Sequence, residues 1–322
     1  MTFEAKMGKT EMREVYRKFL LEKARKDESV VVLEADLSSS MSTDKIKDEL
    51  GDRYINVGIM EAQEVCCAAG LSVAGFKPYI HTFGPFASRR VFDQIFISVA
   101  YAGTNVTIIG SDAGVTAEAN GGTHMPFEEL SLLRSIPHAH IYEASDDKCL
   151  RAILEETYHT DGLNYVRMIR KNAIEIYEEG ETFEDGYKLL REGSDVSIVA
   201  SGIMVADALQ AADRLAAEGI SATVIDLYRV KPVNEAALLK AAETGAIVTA
   251  ENHNVIGGIG SVVAETLAEL KPTLQYRVGV REAFGQVGQA DYLKEQYGLT
   301  AENIVAQAKR LVEQKAKISV NV

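Results

Sequence analysis

A carboxylate at a predicted turn between a strand and a helix is the first candidate for chemistry. Glu61 follows residues 54–59, a short apolar stretch typical of a buried parallel strand, and precedes a helical segment rich in small residues. Ligands collect at the carboxyl ends of strands in open α/β sheets, and a buried carboxylate must be paired, hydrogen-bonded or protonated. Glu61 is therefore a candidate for acid–base chemistry. The alternative is an ordinary first-turn glutamate that interacts with the helix dipole.

A glycine-rich segment, residues 111–124, ends at His124 after another predicted strand. Loops of this length within a compact domain are usually functional or disordered, and the strong elements on both sides favour a functional loop. His124 could carry a proton or donate a hydrogen bond to a substrate. The alternative is a loop histidine held by its neighbours, and spacing does not distinguish the two.

Three polar residues and two aromatic residues lie near the ends of other predicted elements. Arg13, Ser40 and Arg170 are each ordinary surface positions when taken alone. Together they could bind an anion, because arginine binds phosphate through two parallel hydrogen bonds. Phe83 and Phe86 bracket a Gly-Pro pair at a strand end, where they would be either core residues or a stacking surface for a flat ligand ring.

The elements that position these residues alternate between strand and helix. Predicted strands cover residues 29–36, 54–59, 77–83, 105–110, 140–145 and 164–170, and predicted helices cover 13–26, 44–50, 61–75, 87–101, 126–135 and 146–160. Residues 171–194 are acidic and aperiodic, as is typical of a linker between domains. A second series follows, with strands at 195–201, 223–228, 246–251 and 273–280 and a last helix at about 301–315. The alternation predicts the α/β class, with two doubly wound domains.

Composition and missing motifs exclude several classes of function. The 322 residues include 34 basic and 47 acidic ones, and the net charge of −13 argues against nucleic acid and anionic membrane as partners. The chain has no signal-peptide pattern and no apolar run of about 18 residues, so we expect a cytoplasmic protein without a membrane span. The three cysteines form no disulfide framework and no metal signature, and Cys66 and Cys67 are expected to be buried.

Seven short motifs in this order resemble the carboxyl-terminal half of the transketolase family, and more closely the smaller subunit of two-chain transketolases. They extend over nearly the whole chain. The motifs are Glu34-Ala-Asp-Leu-Ser-Ser-Ser40, Asn56-Val-Gly-Ile-Met-Glu61, Thr82-Phe-Gly-Pro-Phe86, Ala113-Gly-Val-Thr116 with Gly121-Gly-Thr-His124, Leu133-Arg-Ser-Ile-Pro137, Arg170-Lys-Asn172 and Thr249-Ala-Glu-Asn-His-Asn-Val-Ile-Gly-Gly258.

The resemblance implies an organisation and a cofactor. A pyrimidine-binding domain of thiamine diphosphate enzymes would occupy residues 1–185, and a smaller transketolase C-terminal domain would occupy residues 190–322. The sequence lacks the Gly-Asp-Gly segment, followed by an asparagine, that holds diphosphate and metal in such enzymes. Thiamine diphosphate would therefore be shared with a separate N-terminal subunit, which would hold Mg²⁺ or Ca²⁺, in an α2β2 assembly that acts on sugar phosphates.

The resemblance also implies roles for particular positions. Glu61 looks like the glutamate that hydrogen-bonds the pyrimidine nitrogen and favours the imino tautomer of the cofactor. For this role it should be protonated, or share a proton, near neutral pH. His124 resembles the histidine near the reacting oxygens. The remaining implied contacts are made with the cofactor by Ile59, Phe83, Phe86 and Arg90, and with the substrate by Arg13, Ser40, Asn120, His124 and Arg170.

Four positions depart from the family pattern. Asn120 replaces an aspartate thought to contact a sugar hydroxyl, and Met125 replaces a polar residue. Asp112 stands where the family often has a histidine, and His81 stands where serine is more frequent. We therefore expect transfer of a two-carbon ketol unit that requires the partner subunit, with the donor sugar left open. The alternatives are the β subunit of a 2-oxo acid dehydrogenase, a deoxyxylulose-phosphate synthase-like enzyme and a degenerate subunit without catalysis.

Overall fold

Two mainly parallel β-sheets, covered by helices, form the protein in a computed structural model that describes residues 2–320. The predicted α/β class is confirmed. In chain order, the strands are β1 (Val30–Glu34), β2 (Tyr54–Asn56), β3 (Lys77–Phe83), β4 (Val106–Ser111), β5 (His140–Glu143), β6 (Leu163–Arg167), β7 (Lys188–Arg191), β8 (Val196–Ala200), β9 (Ala222–Asp226), β10 (Arg229–Lys231), β11 (Ala246–Asn254) and β12 (Leu274–Val280).

The helices pack on both faces of these sheets. In chain order, they are α1 (Met12–Lys26), α2 (Ser38–Met41), α3 (Lys47–Leu50), α4 (Glu61–Val73), α5 (Phe92–Gln94), α6 (Glu129–Arg134), α7 (Asp147–His159), α8 (Met204–Ala217), α9 (Glu235–Ala242), α10 (Ile259–Leu270), α11 (Ala290–Tyr297) and α12 (Ala301–Val320).

The strand order brings the ends of four strands to one edge of the first sheet. That sheet has the order β10-β5-β6-β4-β3-β1-β2, and the second has the order β12-β11-β8-β9-β7. In the first sheet β1, β3, β4 and β6 are parallel neighbours, with Glu34 opposite His81, Phe83 opposite Ser111, and Gly110 opposite Arg167. Because parallel strands place their carboxyl ends at the same edge, the segments that follow them lie side by side.

Side chains of the first sheet enter two separate cores, because neighbouring residues of a strand point to opposite faces. Val31 and Leu33 of β1 join a core that includes the small residues of α4, whereas Val30 and Val32 join a core with α1 and α7. The first of these cores also contains residues of the second sheet, such as Val199. This core, which includes Val31, Leu33 and Val199, is therefore shared by the two sheets and joins them.

Two strands lie outside the sequence-based predictions. β7 forms within the segment predicted to be a linker and pairs antiparallel with β9. β10 returns from the second half of the chain to the first sheet, where it pairs antiparallel with β5. Each has only three or four residues and lies at a sheet edge, where pairing with the neighbouring strand rather than local apolar periodicity determines the conformation.

The structure also corrects some helix predictions. The predicted helix 87–101 is a 3-10 turn (Arg89–Val91), the short α5 and a π-helical turn (Ile95–Tyr101). The helix predicted to start at Pro126 starts at Glu129. Cys66 is exposed and Cys67 is half-buried on α4, so the expectation that both are buried is wrong. None of the helices in the described part of the chain has the length and hydropathy needed to cross a bilayer.

Candidate active site

Glu61 is the first residue of α4 and is 5% exposed. It follows β2 through a turn in which Gly58 has a φ of +76°, a value that favours glycine. The Nη1 atom of Arg90 donates a hydrogen bond to Glu61 Oε1 at 2.5 Å. The arginine comes from the 3-10 turn after β3, so two strand ends supply the two members of this ion pair.

An aromatic cluster lies next to this ion pair. The guanidinium carbon of Arg90 is 3.8 Å from the ring centroid of Phe86. The His124 ring lies 5.0 Å from the Phe86 ring and 5.6 Å from the Phe83 ring, measured between centroids, in both cases edge to face. Phe83 ends β3, and Gly84 after it has no room for a side chain, because a Cβ there would lie 2.7 Å from Cγ of Pro126. The turn and the glycine-rich loop therefore meet closely.

The three residues of the predicted anion clamp also lie together. The guanidinium carbon of Arg170 is 5.0 Å from the ring centroid of Phe83. The backbone N–H of Arg13 donates to the carbonyl oxygen of Arg170 at 3.1 Å, and Arg13 Nη1 donates to the carbonyl oxygen of Ser40 at 3.3 Å. Contacts thus run without interruption from Glu61 to Ser40.

Ile59 and Asn120, two other predicted site residues, are not part of this series of contacts. Ile59, in the turn before Glu61, is 73% exposed. Asn120 is exposed at the end of a short 3-10 helix, and among the described residues its side chain makes no hydrogen bond. Both positions face outward from this chain.

Two models of protein families match the chain. The pyrimidine-binding domain of transketolase matches residues 8–174, and the C-terminal domain of transketolase matches residues 186–304. This chain belongs to the transketolase family. Similar proteins include the 6-deoxy-6-sulfo-D-fructose transketolase subunit SqwH of Clostridium sp. (strain MSTE9), which is 49% identical over 97% of this chain and 98% of its own length.

Two further similarities cover almost the whole chain. A putative transketolase C-terminal section from Methanocaldococcus jannaschii is 37% identical over 95% of this chain and 96% of its own length. A solved structure of a split-gene transketolase, described as an inactive β4 tetramer, is 40% identical, with a TM-score of 0.87 over 96% of this chain and 100% of that one. The transketolase family depends on thiamine diphosphate. No group of three or more His, Cys, Asp or Glu side chains is placed to hold a metal ion within the described residues.

A buried polar network lies next to the candidate site of this member of the transketolase family, and sequence reasoning did not find it. His81 Nδ1 lies 3.1 Å from Glu34 Oε2, and His81 Nε2 lies 2.9 Å from Ser111 Oγ. The hydroxyl of Thr43 donates to Glu34 Oε1 at 2.5 Å. All four residues are fully buried. The sequence offered one signal for this contact: Glu34 and His81 lie near the ends of two predicted strands. Side chains directly opposite each other on neighbouring strands are in contact, so adjacent strands would bring the two residues together.

Glu64 is a second buried acid near the site. It lies one turn after Glu61 in α4, and neither of its carboxyl oxygens has a hydrogen-bond partner among the described residues. Burial is the main cause that raises the pKa of Glu64 well above its usual value, with the charges of Glu34 and Glu61 adding to it. Burial therefore favours the neutral form of Glu64.

A buried ionic cluster joins the two sheets beneath the glycine-rich loop. Arg167, fully buried at the end of β6, donates to Glu129 Oε1 at 2.5 Å, to Glu143 and to the carbonyl oxygen of Asn252 at 2.8 Å. Burial raises the pKa of Glu129 to about 7, although Arg167 acts in the opposite direction. Burial raises the pKa of nearby Glu251 to about 8. A charged residue within a predicted buried strand was the sequence signal for this cluster.

The arrangement allows a particular kind of chemistry. A nearly buried carboxylate stands beside an aromatic wall, and the exposed apolar side chains of Ile59 and Met60 precede it. A flat heteroaromatic ring requires a hydrogen-bonding group at its edge, which can share a proton with a ring nitrogen, and apolar walls on its faces. The residues present therefore fit the pyrimidine ring of thiamine diphosphate. Beyond the aromatic wall, two arginines provide donors for an anionic end of a substrate.

Proposed function

We propose that this chain is the C-terminal subunit of a two-chain transketolase, which moves a two-carbon ketol unit from a ketose donor to an aldose acceptor. The observation that carries the proposal is the uninterrupted series of contacts from Glu61 through Arg90, the aromatic cluster and Arg170. A ring-binding carboxylate lies at one end of this series and an anion clamp lies at the other. A ketose with a charged end would have its reacting carbonyl between them.

Thiamine diphosphate is the proposed cofactor, and when bound it supplies the electron sink for cleavage of a carbon–carbon bond. Glu61 would donate a proton to the pyrimidine nitrogen or share one with it, and the side chains of Phe83, Phe86, Ile59 and Arg90 would surround the ring. Arg90 already pairs with Glu61 in this chain. The prediction that Glu61 shares a proton therefore concerns the assembled site, where the ring competes with Arg90 for the carboxylate.

The other polar residues would orient the sugar. His124, held by its contacts with both phenylalanine rings, would donate a hydrogen bond to the reacting oxygens. Arg13, Ser40 and Arg170 would bind the charged end of the substrate, and Asn120 would contact a sugar hydroxyl. A sugar phosphate is the first candidate donor. A second is 6-deoxy-6-sulfo-D-fructose, which is favoured by the name of the relative that is 49% identical.

We further propose that an N-terminal subunit completes the site and holds the diphosphate with Mg²⁺ or Ca²⁺, in an α2β2 assembly. The names of two relatives, a transketolase subunit and a putative transketolase C-terminal section, support this. The exposed apolar side chains of Ile59, Met60 and Tyr101 support it as well, because such surfaces mark interfaces. Within this subunit, residues 1–185 would form the pyrimidine-binding domain and residues 190–322 the C-terminal domain.

The test is reconstitution of the two subunits. The chain alone and the chain mixed with its N-terminal subunit are assayed with thiamine diphosphate and Mg²⁺, using fructose 6-phosphate or 6-deoxy-6-sulfo-D-fructose as donor and glyceraldehyde 3-phosphate as acceptor. We expect the aldose shortened by two carbons only from the mixture. Turnover of pyruvate in place of both sugars would point to a 2-oxo acid dehydrogenase. No turnover of any donor, with the cofactor bound, would point to a degenerate subunit.

A further inference from the structure

The anion clamp contains a carboxylate at its centre. Asp112 Oδ1 accepts a hydrogen bond from Arg170 Nε at 2.7 Å. Asp112 is 3% exposed, and its second oxygen, Oδ2, is buried without a hydrogen-bond partner among the described residues. The aspartate directly follows β4 and has a φ of +60°, so the backbone holds this carboxylate in one position next to the guanidinium.

Arg170 keeps donors for a ligand despite this pair. Only its Nε atom donates to a protein group in the described part of the chain, and the side chain is 21% exposed. The two terminal nitrogens are therefore available to an anion, on a guanidinium that also faces the ring of Phe83. Any anion bound there lies across the guanidinium from the Asp112 carboxylate, within a few ångströms of a fixed negative charge.

The other basic groups of this region are also paired with carboxylates. Arg13 Nε donates to Glu11 at 2.7 Å, and Lys171 donates to Glu118 at 2.5 Å. A cavity of about 270 Å³ beside Arg170 is lined by Asp112, Glu118, Lys171 and also Asp291. Four carboxylates thus accompany three cations at this site, which disfavours a ligand with two negative charges more than a ligand with one.

We propose that Asp112 determines substrate specificity by restricting the clamp to a monoanion, such as a sulfonate, in preference to a phosphate dianion. This inference rests on the proposed function, because it concerns the donor sugar of the same site. A sulfonate has one negative charge at every physiological pH. A phosphate monoester has close to two at neutral pH, because its second pKa is about 6.

The first test compares two donors on the reconstituted holoenzyme. We expect wild-type kcat/KM to be higher for 6-deoxy-6-sulfo-D-fructose than for fructose 6-phosphate. Asp112→Asn should shift this ratio toward the phosphate by about tenfold or more, through KM rather than kcat, because one negative charge is removed from the clamp. Asp291→Asn is the matched control: it removes the same charge from the same cavity but from a residue that does not bind Arg170. It should shift the ratio less than Asp112→Asn does, because solvent screens the exposed carboxylate of Asp291.

The second test needs no variant. Lowering the pH from 7.5 to 5.5 protonates the phosphate donor and should lower its KM relative to that of the sulfonate donor. Both donors are measured on one protein, so pH effects that are common to both donors do not enter the KM ratio. The charged and titratable groups that face the ligand region are Asp112, Arg13, Arg170, Lys171, Glu11, Glu118, Asp291 and His124. A phosphate preference in the wild type, a KM ratio independent of pH, or an equal shift in both variants would overturn the inference. Failure to turn over either donor would instead refute the proposed function on which it rests.

Discussion

Replacement of Glu61 by glutamine tests the proposed role of the carboxylate directly. Glutamine has nearly the same shape but cannot share an acidic proton with a ring nitrogen. We expect kcat of the reconstituted enzyme to fall by about 10²–10⁴-fold, the usual contribution of a positioned acid or base. A 100-fold loss corresponds to about 2.7 kcal/mol of transition-state stabilisation.

Glu61→Gln should change the free energy of unfolding much less than it changes the stabilisation of the transition state. The side chain of Arg90 is 44% exposed, so solvent screens its pair with Glu61, and such a pair contributes no more than about 1 kcal/mol. Urea denaturation of the isolated chain should therefore show a change in the free energy of unfolding of less than about 1 kcal/mol. A large loss of kcat with an unchanged free energy of unfolding would show that Glu61 acts in the reaction and not in folding.

Glu64 provides a matched control on the same helix. It is buried, and burial raises its pKa well above the usual value, which favours the neutral form. Glutamine is neutral and of nearly the same size, so Glu64→Gln should keep kcat within about twofold of the wild type. The reasoning is refuted if Glu61→Gln keeps the wild-type rate, or if Glu64→Gln loses as much activity as Glu61→Gln does.

Three further predictions concern the cluster beneath the loop and the assembly. Arg167→Met should lower the free energy of unfolding by about 3–5 kcal/mol in urea denaturation, because it leaves Glu129 and Glu143 buried without their cation; a change below about 1 kcal/mol would contradict the described ion pairs. The pKa of Glu251 is raised from its ordinary value of 4.5 to about 8 in the folded state. Between these two pH values the folded chain holds a proton that the unfolded chain has released, so the contribution of Glu251 to stability falls as the pH rises from about 4.5 to about 8. Glu251→Gln should accordingly flatten the dependence of the melting temperature on pH between 5 and 8, and a profile parallel to the wild type would argue against that protonation. The isolated chain should have no ketol-transfer activity at any concentration of thiamine diphosphate, and activity measured without the N-terminal subunit would contradict the shared site.

Much of the fold could be predicted because its strands are locally distinctive. β1 and β4 are rich in valine, isoleucine and leucine, and each is buried at every residue, as expected for central parallel strands. The short edge strands β7 and β10 have no such pattern and depend on pairing partners far away in the chain. Local pattern was also sufficient to predict that α4 begins at Glu61. It was not sufficient to predict that Cys66 is exposed, because the exposure of a helical residue depends on which other elements cover that face of the helix.

The sequence by itself determined the fold class, the family and the types of group available for chemistry, because these follow from local periodicity and from short motifs. Only the tertiary structure decided which of those groups meet. Arg90 pairs with Glu61, His124 reaches both phenylalanine rings, and Asp112 holds Arg170. These contacts join strand ends that are 29 or more residues apart in the chain. The order of strands in the sheet creates them, and that order depends on packing of the whole core rather than on any one segment.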